Sequence, residues 1–204
     1  MSRPTVFVVD DDPAVRDSLT LLLEGESMAV EAFASAEAFL AVCRTAPQCC
    51  AIVDIRMPAM DGLQLQAELL QRDIRLPLIF LTGHGDIPMS VRAIKAGAVD
   101  FLVKPITAAD LIKSVEAAVL ESEKISARVE ESQSTADRMR NLTEREREVM
   151  TLAVEGLANK EIARRLGISH RTVEIHKARV MHKMDASSLI ELARMLKAYE
   201  LTAT

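Results

Sequence analysis

The chain has 204 residues, 49% hydrophobic and 27% charged, enough for one large core or two small ones; no apolar run reaches a spanning length and no secretory leader opens it, so membrane and exported classes are not expected. Cys43, Cys49 and Cys50 are odd in number and lack metal-ligand spacing, which predicts structural thiols in a reducing, cytoplasmic setting. The net charge of −5 is uneven, with 14 basic against 21 acidic residues in 1–140, 11 against 9 in 141–204, and 7 against 2 within 159–183, so two domains with different partners are expected.

"TVFVV" (5–9) reads as a strand and runs into Asp10, Asp11 and Asp12. A helix follows over about 13–24, with Val15, Leu19, Leu22 and Leu23 on one face. "MAVEAF" (28–33) is a second strand, and Ser35 suits the N-cap of the helix after it. "CAIVDI" (50–55) and "PLIFLT" (77–82) are nearly all apolar, as strands buried on both faces should be. Helices are predicted from Asp61-Gly62 to about Gln71 and over 86–98, the latter stopped by Gly97; "VDFLV" (99–103) is a fifth strand ending at Lys104-Pro105. Five strand–helix repeats predict an α/β doubly wound, five-stranded parallel sheet.

"TAADL" (107–111) opens a further helix with capping-box spacing, and apolar or small residues then recur every three to four positions to about Arg140. A solvated linker helix and a coiled coil both fit this stripe. "TERE" (143–146) starts a strand-free block, which places the boundary between about 122 and 142. The expected divisions are 4–121, a helical linker over 122–141, and 142–204.

In a doubly wound sheet, ligands bind at the carboxyl ends of the strands. Those ends carry Asp10, Asp11, Asp54, Thr82 and Lys104. Converging carboxylates suit a hard divalent cation, Asp54 could take up a phosphoryl group as an acyl phosphate, and Lys104 and Thr82 could stabilise its oxygens. Asp12, before Pro13, suits a helix N-cap instead.

"VVDDD", "DIRMPAMDG", "LTGHGD" and "KAGAVDFLVKP", in that order, resemble a response-regulator receiver domain of the FixJ branch, with a flavodoxin-like fold. The resemblance implies Mg²⁺ (or Mn²⁺) bound by Asp10, Asp11, Asp54 and the backbone carbonyl of Arg56. It implies phosphotransfer to Asp54 from a sensor histidine kinase, a coupled switch pair Thr82 and Phe101, and a cis Lys104–Pro105 bond. A surface holding Met89, Val91, Arg92, Lys95 and Ala96 would then dimerise.

The rear block reads as four helices, about 143–155, 159–167, 168–184 with Ser169 as N-cap, and 187–199. Two helices joined at Gly167, the second one basic, form a helix-turn-helix pattern. Val173, Val180 and Met184 can face its core. Ser169, Arg171, Thr172 and Lys177 sit where phosphates could be met; Glu174, Ile175 and Ala178 are better placed for base edges. "LTEREREVMTLAVEGLANKEIARRLGISHRTVEIHKARVMHKM" is similar to the LuxR/NarL-type DNA-binding domain. That adds Asn159, Lys160, His176 and Lys183 to the expected DNA-facing set, which Arg179 joins because it lies off the core face of the same helix.

Together the two resemblances imply a phosphorylation-activated transcription regulator, whose only chemistry is its own phosphotransfer and dephosphorylation. Its partners would be a sensor histidine kinase, double-stranded promoter DNA, RNA polymerase and, when phosphorylated, a second copy; no membrane partner is expected. Two other readings compete. A phosphatase with an aspartyl-phosphate intermediate would turn over many substrates, but Pro13-Ala14 and the lack of an acidic pair after Lys104 count against it. A scaffold acting only through protein contacts would leave the rear block without DNA affinity.

Overall fold

The computed structural model describes residues 3–83 and 87–202. Five parallel strands alternate with helices: β1 (Thr5–Val9), α1 (Pro13–Gly25), β2 (Ala29–Phe33), α2 (Ala36–Val42), β3 (Cys49–Val53), α3 (Gly62–Gln71), β4 (Leu78–Thr82), α4 (Ile87–Lys95) and β5 (Asp100–Val103). The sheet order is β2-β1-β3-β4-β5, with every adjacent pair parallel. This is the doubly wound fold expected. The helix start expected at Asp86, with the preceding His84 and Gly85 of the "LTGHGD" stretch, lies outside the described residues.

Alternate residues of each strand feed opposite layers. Phe7, Val9, Ala51, Val53 and Phe80 pack against Phe39, Leu65 and Leu69 from α2 and α3. Val6, Val8, Ile52, Ile79 and Leu81 pack against Leu19 and Leu23 of α1 and Leu111, Val115 and Ala118 of the next helix. The three cysteines are free thiols. Burial pushes the Cys43 thiol up to about 11 and that of Cys50 up to about 12, which leaves both as unreactive packing groups.

Helix α5 (Ala108–Arg140) is unbroken through the segment expected as a linker, 33 residues or about 50 Å at 1.5 Å per residue. Its register on the sheet is fixed at Ser122, a buried polar residue on the apolar stripe. The Ser122 hydroxyl accepts the Cys49 N–H at 3.1 Å and donates to the Ala46 carbonyl at 3.2 Å, while Gln48 Nε2 donates to Glu123 Oε1 at 2.7 Å. Further along, Val129 is exposed.

The chain divides into two compact units, residues 1–126 and 127–204. In the second, α6 (Glu144–Val154), α7 (Asn159–Leu166), α8 (His170–Met184) and α9 (Leu189–Thr202) follow the end of α5. The expected capping box is present at α6, where Thr143 and Glu146 exchange backbone-to-side-chain bonds. Gly167 closes α7 at φ 65°, a conformation that favours glycine, and Ser169 caps α8. Val173 joins a core with Val149, Leu152 and Ile162, while Val180 and Met184 join Leu142, Met150 and Leu192. Those three α8 residues are the ones expected inside.

Candidate functional site

Because all five strands are parallel, their carboxyl ends share one edge of the sheet. The structure brings Asp10, Asp54 and Lys104 together there. Asp10 is buried; its Oδ1 accepts the Asp12 N–H at 2.9 Å and its Oδ2 accepts Lys104 Nζ at 2.9 Å. Lys104 Nζ also lies 3.5 Å from Asp54 Oδ1, so one ammonium bridges two carboxylates. Asp54 Oδ2 accepts the Arg56 N–H at 2.7 Å. Burial pushes the Asp54 carboxyl above its usual range and the Asp10 charge adds to this, whereas Lys104 and the Arg56 N–H pull it down.

The backbone that aims these groups is tightly placed. The Asp54 N–H donates to the Val9 carbonyl at 2.8 Å, and the Lys104 N–H donates to the Thr82 carbonyl at 2.8 Å. β3 ends at Val53, so Asp54 stands one residue past the strand instead of within it. The cis Lys104–Pro105 bond is present. Asp12 caps α1, accepting the Ala14 N–H at 2.9 Å.

Three supporting residues carried no signal as site residues in the sequence. Gly62, at the start of α3, packs against the Asp54 backbone so closely that a Cβ there would stand 2.5 Å from the Asp54 carbonyl oxygen. Arg16 Nη1 donates to the Asp10 carbonyl at 2.6 Å, and buried Gln66 donates to the Ala93 carbonyl in α4 at 3.1 Å. Each contact is tertiary, and only the fold reveals it.

Asp11 and Arg56 are exposed at the rim. Among the described residues no three His, Cys, Asp or Glu side chains gather closely enough to hold an ion alone. The two buried carboxylates of Asp10 and Asp54 nevertheless fit Mg²⁺, which takes one or two carboxylates and keeps several waters. Thr82 is buried at the end of β4, and the Phe101 ring is half-buried, 6.3 Å from that of Phe80.

On α4, Val91, Arg92 and Lys95 are exposed, whereas Met89 is half-buried against the core and Ala96 falls just beyond the helix end. Ile87, Ile94 and Val103 add exposed apolar surface that the sequence reading did not single out.

In the second unit, Arg171, Glu174, Ile175 and Arg179 of α8 and Lys160 of α7 are exposed. Ser169 Oγ accepts the Thr172 N–H at 3.0 Å, ordering the first turn of α8. Lys177 Nζ reaches Asn159 Oδ1 at 3.3 Å and ties α8 to α7. The His176 Nδ1 is buried without a hydrogen-bond partner. Lys183 differs from the rest of the expected DNA-facing set, because its ammonium is paired with a buried carboxylate, Glu146, and also donates to the Asn141 carbonyl.

Residues 6–116 match the response regulator receiver domain, and residues 140–196 match the bacterial regulatory proteins of the luxR family. The transcriptional regulatory protein FixJ of Azorhizobium caulinodans is 46% identical over 93% of this chain and 90% of its own length. FixJ of Rhizobium meliloti is 44% identical over 97% of each. Among solved structures, response regulator StyR superposes with a TM-score of 0.79 at 41% identity, covering 97% of this chain and 100% of that one. The carboxylate–lysine pocket, the helix-turn-helix and these likenesses together place the chain among the two-domain response regulators, a receiver joined to a LuxR-type DNA-binding domain, as a FixJ-like regulator of transcription.

Proposed function

We propose that Asp54 is the phosphoryl acceptor of this regulator and that its phosphorylation by a sensor histidine kinase drives dimerisation and promoter binding. The observation that carries this reading is the bridge of Lys104 between buried Asp10 and Asp54 at the carboxyl edge of the sheet. An Asp54 oxygen attacks the phosphorus of a phosphohistidine, the N–P bond breaks, and an acyl phosphate forms as the imidazole leaves. Asp10, Asp11, Asp54 and the carbonyl of Arg56 hold Mg²⁺ or Mn²⁺ there, which supplies positive charge against the phosphoryl oxygens when bound. Lys104 pairs with one of those oxygens and the Thr82 hydroxyl donates to another.

Thr82 moves toward the new group, Phe101 turns inward, and the surface of α4 and β5 changes. Met89, Val91, Arg92, Lys95 and Ala96 then form the contact of a homodimer. Two copies of α8 enter successive major grooves of a symmetric site. Ser169, Arg171, Thr172 and Lys177 meet the backbone, Glu174, Ile175 and Ala178 approach the bases, and Asn159, Lys160, His176 and Arg179 complete the DNA-facing set. The functional divisions are 4–121, 122–141 and 142–204. The chain acts in the cytoplasm, on RNA polymerase at its promoters.

The test uses the full chain with Mg²⁺ and acetyl phosphate. Wild type takes up one phosphoryl group, becomes a dimer by scattering and binds DNA more tightly; Asp54→Asn does none of these. An Asp54→Asn chain that still dimerises with the phosphodonor overturns the reading.

A further inference from the structure

Lys183 lies in the last turn of α8, among residues whose charge suggests a DNA face. Its surroundings point elsewhere. Nζ stands 2.7 Å from Glu146 Oε2 and 3.1 Å from the Asn141 carbonyl oxygen. Glu146 is 2% exposed, and the same Oε2 accepts the Thr143 N–H at 2.9 Å in the capping box of α6. Beside it, Arg138 Nη1 donates to the Met184 carbonyl at 3.0 Å and Nη2 lies 3.2 Å from Asp185 Oδ2. Two cationic side chains, Lys183 and Arg138, therefore fasten the C-terminal turn of α8 to the α5–α6 junction.

To reach a DNA phosphate, the Lys183 ammonium has to leave Glu146. That strands a buried carboxylate without its cation, a cost larger than an exposed ion pair returns. By contrast, Arg171 and Arg179 are exposed on the same helix and reach outward without breaking a buried pair.

We infer that Lys183 is a positioning residue: its bridge to Glu146 sets the angle at which α8 is presented, and its ammonium does not touch DNA. This rests on α8 being the DNA-recognising helix. A phosphate contact and a buttress differ in one observable, because each neutralised phosphate adds to the slope of log affinity against log salt, whereas orientation shifts the whole line.

The experiment measures binding of the full chain, phosphorylated with Mg²⁺ and acetyl phosphate, to a mixed-sequence duplex of about 30 base pairs, from roughly 50 to 300 mM salt and well below the melting temperature. Lys183→Met is expected to weaken binding several-fold at every salt concentration with the wild-type slope. Arg171→Met and Arg179→Met are expected to flatten the slope by about 0.9 per bound copy. Glu146→Gln keeps an oxygen for the cap and removes the charge. It should give the same parallel loss as Lys183→Met, and the double variant should be no weaker than either single one.

A slope flattened by about 0.9 per bound copy in Lys183→Met identifies a phosphate contact and overturns the inference. So does unchanged affinity, which leaves only a stability role, or tighter binding by Glu146→Gln, which shows a released Lys183 reaching DNA. Should neither arginine variant change the slope, the assignment of α8 to DNA fails instead. Circular dichroism confirms that each variant is folded, and Glu146→Gln carries the test if Lys183→Met is not.

Discussion

A methyl group at position 62 has nowhere to go: it would meet the Asp54 carbonyl oxygen at 2.5 Å and the Ile55 Cα and Val53 Cγ1 at 3.1 Å. Two of those three atoms are backbone, so relief requires the Asp54 peptide to shift. Gly62→Ala should destabilise the first unit by about 1–3 kcal/mol in urea titrations and slow labelling by acetyl phosphate, even at temperatures where it is folded. Glu146 carries a prediction of a different kind. The Lys183 ammonium and the Thr143 N–H hold its carboxyl at about 2, below the ordinary 4.5. Its contribution is thus complete above about pH 4.5 and is lost as pH falls toward about 2. Between those limits, wild type should lose on the order of 2 kcal/mol more than Glu146→Gln in the unfolding of the second unit, with the half-exposed lysine keeping the figure below the full shift.

At the scale of elements, one buried hydroxyl sets the register of helix α5 on the sheet. Ser122→Ala removes the acceptor of the buried Cys49 N–H and the donor to Ala46. It should cost about 1–3 kcal/mol in the first unit, measured by denaturant, whereas the same change at exposed Ser134 should cost almost nothing. Most elements were legible in the sequence because their signals are local. Apolar runs end at charges in β1 and at Lys104 after β5, and the capping pairs at Thr107 and Thr143 mark helix starts. What stayed hidden depends on distance in sequence. Nothing near Gly62 announces its approach to Asp54. A charge count treats Lys183 as it treats Arg179, although its partner Glu146 is 37 residues away. Asp54 read as part of a strand because Ile55 prolongs the apolar run, yet pairing stops at Val53. α5 showed its periodicity but not the point at which it leaves the sheet, since serines at 122 and 132 look alike in sequence and, of the two, Ser122 alone is buried.

For the molecule as a whole, the proposed dimer places its contact on the exposed apolar residues of α4 and β5. Ile87, Val91 and Ile94 of α4 and Val103 of β5 are all exposed, apolar surface suited to a contact formed on demand. On the proposed phosphorylation-driven dimer, Ile94→Glu should leave phosphoryl uptake at Asp54 unchanged and keep the phosphorylated chain at the mass of a monomer in scattering. If the charged variant dimerises as wild type does, the contact lies on another surface.

The parallel sheet has a consequence for how damage spreads. Asp54 follows the last residue of β3, and Cys49, which grips Ser122, is its first. At about 3.3 Å per residue the two lie some 17 Å apart, at opposite margins of one rigid plate. The carboxylate pocket occupies one margin and the anchorage of the long helix the other. Perturbations at the two margins should therefore be blind to each other: the stability losses of Gly62→Ala and Ser122→Ala should sum in the double variant to within about 0.5 kcal/mol. A larger departure would reveal that the plate bends.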